Sequence, residues 1–416
     1  MRVKTNYHSP LCVNYHSICV DFLIACILII AMLSFALGGS ESPTLQFNHT
    51  YGPYSSYDVI QTPDGGYAIA CQNATLGSHG YNNYEPSVIK TDSNGQLQWR
   101  TVISEFGWAA SVAKTKDSGF IVGCNPNGAL IKLDGNGNIQ WEKTFGLTSC
   151  YVIQTNDGGY ILAGSEQNAN NGYNIRLIKT DENGNLLWNK TLNFGFVTLV
   201  TSFIETTDNG YAFSGQTDWF AKTDANGNLL WNQTYNLPAI GESIDVNSIA
   251  NTNDGGYVLA GFTGNGAGAF LIKTDMQGNV QWSDIYSKSS YKSISQANDG
   301  GYIAAGVDQS GSYALIKMDI HGKITWNVSV SGNPSSIILS NDNSYVVTGT
   351  VSTSGSVSSN IFLAKYSAES GVNPSPSVPE SLLIVVSLPV VVTVLTLIFL
   401  RKKKLKKMQW NCDPET

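Results

Sequence analysis

Between Gln154 and Trp188 the chain carries two phrases, QTNDGGYILAG (Gln154–Gly164) and IKTDENGNLLW (Ile178–Trp188). Each wraps apolar residues round a turn signal, Asp157-Gly158-Gly159 in the first and Asp181 to Asn185 in the second. Asp-Gly and Asn-Gly between β-rich runs mark hairpins, because their turns need residues that accept positive φ. Two such phrases in succession give strand, turn, strand, loop, strand, turn, strand. Whether that is one motif or a whole fold depends on whether it recurs.

The first phrase returns at seven places, centred on Asp64, Asp117, Asp157, Asp208, Asp254, Asp299 and Asp342, at spacings of 53, 40, 51, 46, 45 and 43 residues. The second follows six of them and ends at Trp99, Trp141, Trp188, Trp231, Trp282 and Trp326. Periods of this length belong to four-stranded units, and four antiparallel strands per repeat make a propeller blade. The seventh repeat stops after NIFLAKYSAESG (Asn360–Gly371) without a Trp strand. Its missing strand is expected from the other end, where LQFNHTYG (Leu45–Gly52) matches WEKTFG (Trp141–Gly146) with Phe47 in the Trp position. The sequence thus predicts an all-β fold, a seven-bladed β-propeller closed by an N-terminal strand, which leaves no open array edge. One aromatic recurs per unit at a fixed place, so Phe47 and the six repeated Trp are assigned to packing between blades. Trp108 and Trp219 fall outside that register, so if any Trp touches a ligand it is expected to be one of these two.

Composition agrees: 13% charged residues and 41 Gly suit many short strands and tight turns better than solvated helices. The two ends differ from the middle. FLIACILIIAMLSFAL (Phe22–Leu37) follows Arg2 and Lys4 and precedes Gly38, Gly39 and Ser40, the layout of a secretory signal, or of an anchor helix if it is retained. SLLIVVSLPVVVTVLTLIFL (Ser381–Leu400) is free of charge and runs into RKKKLKK (Arg401–Lys407). Twenty residues at ~1.5 Å each cross a bilayer core of ~30 Å. The basic block then belongs on the cytoplasmic side. The expected organisation is a signal peptide or signal anchor (1–38), the propeller (45–371), a Pro/Ser stalk VNPSPSVPE (372–380), a C-terminal transmembrane helix (381–400) and a basic cytoplasmic tail (401–416). The propeller is then extracellular, on the cell membrane. Between Gly38 and Glu380 there are 16 Lys and Arg against 28 Asp and Glu, a net of −12. That balance excludes nucleic acid as a natural partner. The expected partners are the membrane, through Ser381 to Leu400, and an envelope protein or glycan.

No catalytic, cofactor-binding or metal residue is assigned. Asp181, Asn183 and Asn185 alternate as at the start of a calcium loop, but an EF-hand needs Gly sixth and Glu twelfth. Here Gly184 is fourth and Leu192 twelfth, so the stretch reads as a turn, with calcium as the alternative. His49, His79 and His321 show no metal-ligand spacing, and the Asp of the first phrase, present in every repeat, reads as structural. Cys71, Cys124 and Cys150 lie between the apolar segments, an odd number that allows one bridge or three buried thiols. Asn48, Asn73, Asn189, Asn232 and Asn327 open Asn-x-Ser/Thr sequons and are glycosylation candidates. All but Asn73 stand one residue after the Trp, or after Phe47. The longest departures from the repeat, Asn73–Ser87 and Ser165–Asn174, read as loops along one edge of the propeller.

The spacing Asp-x-x-Gly-x-x-x-Trp, as in Asp181, Gly184 and Trp188, resembles the tryptophan-docking repeat of quinoprotein (PQQ-dehydrogenase-like) propellers. The paired phrases are also similar to the repeats of secreted archaeal and bacterial propeller proteins, over Leu45–Gly371. The resemblance implies architecture and carries no cofactor, because quinone-binding residues lie outside the docking motif. Pro379-Glu380 before the last apolar segment is similar to the sorting tails of archaeal surface proteins, which carry Pro-Glu-Phe; Ser381 stands in the Phe position. The function expected is a binding or cell-envelope interaction module. The alternatives are a quinoprotein-like oxidoreductase or hydrolase using the channel, and a purely structural envelope protein.

Overall fold

The computed structural model describes residues 42–52, 54–76, 82–103, 107–168, 172–194, 199–235, 244–264, 266–352 and 359–367. Chain order begins with β1 (Leu45–Tyr51). Blade 1 is β2 (Tyr54–Gln61), β3 (Tyr67–Leu76), β4 (Asn82–Thr91) and β5 (Leu97–Val102). Blade 2 is β6 (Trp108–Lys114), β7 (Phe120–Asn125), β8 (Ala129–Leu133) and β9 (Ile139–Thr144). Blade 3 is β10 (Ser149–Gln154), β11 (Tyr160–Gln167), β12 (Tyr173–Thr180) and β13 (Leu186–Leu192). Blade 4 is β14 (Val200–Glu205), β15 (Tyr211–Gly215), β16 (Trp219–Thr223) and β17 (Leu229–Thr234). Blade 5 is β18 (Ile244–Asn251), β19 (Tyr257–Thr263), β20 (Gly268–Thr274) and β21 (Val280–Ser287). Blade 6 is β22 (Ser290–Gln296), β23 (Tyr302–Val307), β24 (Tyr313–Met318) and β25 (Ile324–Ser329). Blade 7 has only β26 (Asn333–Leu339), β27 (Tyr345–Ser352) and β28 (Ser359–Tyr366) from its own repeat.

The fourth strand of blade 7 is β1, giving the order β1-β28-β27-β26. Phe47 lies opposite Lys365, as Trp188 lies opposite Lys179 and Trp231 opposite Lys222, so the closing strand takes the register of a docking strand. The fold is the seven-bladed propeller that the repeat predicts. In each blade the second and third strands are mostly buried, while the outer strand alternates: β5 runs exposed, exposed, half-buried, exposed, half-buried, exposed. Trp99 occupies the first half-buried place.

Trp141 shows what the docking aromatic does. It faces Tyr160 of the next blade at 5.8 Å and covers the second turn of that blade, where Gly184 has φ +74°. A Cβ on Gly184 would come within 2.8 Å of the indole, so this turn needs glycine both for its backbone and for the ring above it. Phe47 covers Gly95 of blade 1 in the same way. The closure seam is packed as the other seams are.

One structural element escapes the sequence reading. The Lys of each second phrase, and Lys365 at the same place in the seventh repeat, points inward and pairs with the Asp of the first: Lys90–Asp64, Lys132–Asp117, Lys179–Asp157, Lys222–Asp208, Lys273–Asp254, Lys317–Asp299 and Lys365–Asp342, at 2.5–2.9 Å. The ammonium is buried and the carboxylate about half exposed. Lys273 also donates to the Thr274 carbonyl at 2.8 Å, so the buried charge is satisfied. Partial burial pushes the Asp157 carboxyl up, but bonds from Thr155, Lys179 and Gly159 outweigh it and hold the group at about 2. Every blade is thus fastened by a turn, an ion pair and a docked ring of its own.

Two expectations change. The stretch 73–87 is largely strand rather than loop, because β3 and β4 stay paired out to Leu76 and Asn82 and form one long hairpin. Likewise Ser165–Gln167 and Tyr173–Asn174 belong to β11 and β12. Cys71, Cys124 and Cys150 are buried thiols that take part in no disulfide. Among the described residues no helix is long and apolar enough to cross a membrane; the signal, stalk, transmembrane and tail segments all lie outside the described residues.

Candidate functional site: the central channel

The first strand of each blade faces the axis, and together β2, β6, β10, β14, β18, β22 and β26 enclose a channel of about 1100 Å³. Eight of its lining residues are serine and four asparagine. The charged ones are Asp58, Glu205, Lys114 and Lys292, whose formal charges cancel.

The wall is organised by one repeated position, four residues before the Thr, Ala or Ser that opens each first turn. It holds Ser111, Ser202, Ser248, Ser293 and Ser336, but Asp58 in blade 1 and Tyr151 in blade 3. A register shift precedes this position in every inner strand except β10. Such a bulge re-aims the side chain that follows it. Four of the five serine hydroxyls then accept from the amide of the next blade: Val152 N to Ser111 Oγ at 3.0 Å, Ile249 N to Ser202 at 3.1 Å, Ile294 N to Ser248 at 3.2 Å and Ile337 N to Ser293 at 3.2 Å, while the fifth, Ser336, donates to Asp58 instead. In blade 3, which has no bulge, Ser165 of β11 takes this part by accepting from Val200 N at 2.9 Å. The ring is a hydrogen-bonded girdle round the channel.

Asp58 is its one charged member. Oδ1 accepts from Val59 N at 2.9 Å and from Ser336 Oγ of blade 7 at 3.3 Å, and Oδ2 accepts from Val112 N of blade 2 at 3.1 Å. Enclosure by the blades pushes its carboxyl up to about 6, against the pull of those three bonds, although the side chain keeps some contact with the channel. Burial also raises the Tyr151 hydroxyl, and the Asp58 charge raises it further, so one exception in the ring acts on the other. Beside them Tyr57 stacks on Trp108, ring centroids 6.0 Å apart and planes 28° apart. Tyr57 is fixed by donating to Gln72 Oε1 at 3.0 Å, and Gln72 in turn donates to the Gly107 carbonyl at 3.2 Å.

The other sequence candidates lie elsewhere. Trp108 lines the channel, whereas Trp219 is buried against Phe194 and Phe213. Trp99, Trp141, Trp188, Trp231 and Trp282 sit half-buried at blade seams, and Trp326 is buried beside Tyr345. Asn48, Asn189, Asn232 and Asn327 are exposed on outer strands; Asn73 is buried, with its Nδ2 donating to Glu85 at 3.1 Å. In the Asp181 turn Oδ1 accepts from Asn183 N and Asn185 N, at 2.9 and 2.8 Å, and Oδ2 accepts from Asn185 Nδ2 at 2.9 Å. His49 Nε2 lies 3.0 Å from the Asn94 carbonyl, and His321 is exposed in its turn; His79 lies outside the described residues. Asp58, Tyr151 and the serine girdle were missed by sequence reasoning, because they lie upstream of the phrases that define the repeat. Aligning that upstream position across the repeats displays them.

The sequence model of a family described as outer membrane protein assembly factor BamB matches residues 85–319, more than half of the chain. The chain belongs to this family. No curated protein matches it. Among solved structures, a streptogramin B lyase is similar with a TM-score of 0.57 and 14% identity, over 77% of this chain and 97% of that one. A catalytically inactive virginiamycin B lyase from Staphylococcus aureus, solved with quinupristin, gives 0.57 and 14% over 78% and 99%. Raptor of Chaetomium thermophilum gives 0.57 and 10% over 78% of this chain and 29% of that one. At such identities the likeness concerns the propeller fold alone. BamB-family membership and the fold agree with the quinoprotein-like repeat.

Proposed function

We propose that this BamB-family propeller is a binding module of the cell envelope, held outside the membrane by Ser381 to Leu400 and facing an envelope protein or glycan. The observation that carries the reading is the channel: a ligand-sized space walled chiefly by neutral hydrogen-bonding side chains. The family description speaks of assembly of membrane proteins, which favours a protein among the partners. So do Leu186, Leu187, Leu229 and Leu230, which are 41–58% exposed on the outer strands of two neighbouring blades. The exposed sequons at Asn48, Asn189, Asn232 and Asn327 suit a glycosylated outer rim. No cofactor belongs to this reading, and the bonds from Asn183 N, Asn185 N and Asn185 Nδ2 to the Asp181 carboxylate favour the turn over the calcium alternative.

A second reading, an enzyme working in the channel, is favoured by Asp58, a carboxyl held at about 6 where it can take up or release a proton near neutrality. Two of the similar folds are lyases by name. Titrating the purified full chain with calcium, and screening it against envelope proteins and polysaccharides for both binding and turnover, separates the cases. Saturable binding without turnover supports the module. Turnover that disappears in Asp58→Asn replaces it with the enzyme reading, and silence in every screen leaves a structural envelope protein.

A further inference from the structure

The seam between blades 1 and 2 differs from the other six in what it presents to the channel. Elsewhere the girdle position is a tyrosine or a serine whose hydroxyl is bonded across its seam, to an amide in four blades and to Asp58 in blade 7. At this seam a carboxylate replaces the serine, and a stacked Tyr57–Trp108 pair stands beside it. Trp108 has no docking role, since the docking residue of blade 1 is Trp99.

An ionised carboxylate has about four acceptor positions. Val59 N, Val112 N and Ser336 Oγ fill three of them around Asp58. The fourth is left for a donor arriving in the channel. Next to Trp108 in the strand register is Asn125, which is 7% exposed, lines the channel, and has an Oδ1 without a hydrogen-bond partner. A flat aromatic surface, a carboxylate with one acceptor site to spare and an unused amide oxygen thus share one stretch of wall.

The occupant can be read from that chemistry. The charges of the channel cancel, which favours a neutral ligand over a nucleotide or a charged peptide. The aromatic pair offers its face to a patch of C–H groups, while carboxylate, amide and hydroxyl groups ask for many small donors and acceptors on the same molecule. A pyranose ring has both, an apolar C–H face and a rim of hydroxyls, whereas a neutral peptide segment has few donors away from its backbone. We infer that the channel wall at the seam of blades 1 and 2 is a binding subsite for a neutral carbohydrate, with Tyr57 and Trp108 as the stacking platform and Asp58 as the acceptor for a sugar hydroxyl. Gln72 is a positioning residue that holds Tyr57 in the plane of the platform.

This rests on the binding-module reading and names its ligand class, so the test must tell the two apart. The full chain is titrated by calorimetry and tryptophan fluorescence with cellotriose, mannotriose and triacetylchitotriose, and with glycyl-leucyl-glycine as the peptide control. At least one trisaccharide is expected to bind saturably, with affinity lowered about tenfold or more in Trp108→Ala and in Asp58→Asn. Trp108→Phe, which keeps a ring, should fall between, and Glu142→Gln on the exposed outer strand β9 should not move the constant. Trisaccharide binding unchanged in both Asp58→Asn and Trp108→Phe would overturn the subsite, as would binding of the tripeptide but of no saccharide. If envelope material binds the chain while these variants are indifferent, the module stands and the subsite falls; if nothing binds, both fall.

Discussion

Asp58→Ser makes blade 1 like its sisters, and the structure gives both the sign and the size of the effect. In the folded protein the carboxyl titrates at about 6, raised from an ordinary 3.8 by enclosure in the channel wall. A group whose folded value is raised favours folding most when protonated, so its contribution is complete below about pH 4 and is lost as pH rises through 6. Each tenfold change in acidity is worth about 1.4 kcal/mol, so the ionised carboxylate costs about 3 kcal/mol at pH 8 relative to acid. Serine removes that cost and can keep the girdle: its hydroxyl accepts from Val112 N as Ser111 accepts from Val152 N, and Val59 N is freed to donate to Ser336 Oγ. The variant should therefore be more stable than the parent by about 2–3 kcal/mol at pH 8, with the gap closing toward pH 4. Thermal and urea unfolding of the two full chains between pH 4 and pH 8 measures it. The paired aspartates whose carboxyls are held below the ordinary range, Asp64, Asp117, Asp157, Asp208, Asp254 and Asp342, lose stability on acidification in both proteins and cancel in the difference. A variant no more stable at pH 8, or a gap that does not change with pH, would refute the electrostatic reasoning.

The other predictions test the repeat itself. Gly184→Ala combines a positive φ with a methyl 2.8 Å from Trp141 and should cost about 3 kcal/mol, whereas Gly255→Ala, also at positive φ but with nothing within 4 Å, should cost about 1; equal melting shifts would remove the docked ring from the argument. Asp254→Ala leaves the Lys273 ammonium with only the Thr274 carbonyl and Gln281 Oε1 and should cost about 2 kcal/mol, below a fully buried pair because Asp254 is half exposed. Cys71, Cys124 and Cys150 should resist alkylation in the native protein and react in denaturant, as seen by peptide mass mapping. Burial pushes the Cys150 thiol up to about 12 and raises that of Cys71 as well.

What was legible in the sequence was whatever recurred inside a short window. The Asp-Gly-Gly and Asn-Gly turns, the docking Trp and the match of Phe47 to the Trp position are local patterns, and they were enough to count blades and close the ring. The buried lysines recur just as faithfully. Lys179 was passed over because its partner Asp157 lies 22 residues upstream, and a charge at the end of an apolar run reads as the start of a turn. The strand content of 73–87 was missed because Asn, Gly and Tyr suggest a loop, and only the pairing of β3 with β4 shows that the hairpin continues. Asp58 was hidden for a different reason. It departs from the repeat by a single residue, outside the phrases used for alignment, and its meaning depends on blades 7 and 2 rather than on its own.

Those two neighbours tie the channel to closure of the ring. The clasp between β1 and β28 is non-covalent, so blade 7 is held to blade 1 by strand pairing, by Phe47 on Gly95, and by the girdle contact from Ser336 to Asp58. The girdle bond at this seam ends on a carboxylate that is costly to ionise, whereas the blade 6–7 seam ends on a neutral serine. A ligand that donates into the fourth acceptor position of Asp58 stabilises the ionised form and lowers that cost. Because such a ligand binds only the closed ring, it adds to stability by mass action. Ligands of this site should then raise the melting temperature more at pH 8 than at pH 4, and Asp58→Ser should abolish the difference. A ligand bound elsewhere on the propeller has no reason to discriminate between those two pH values through Asp58.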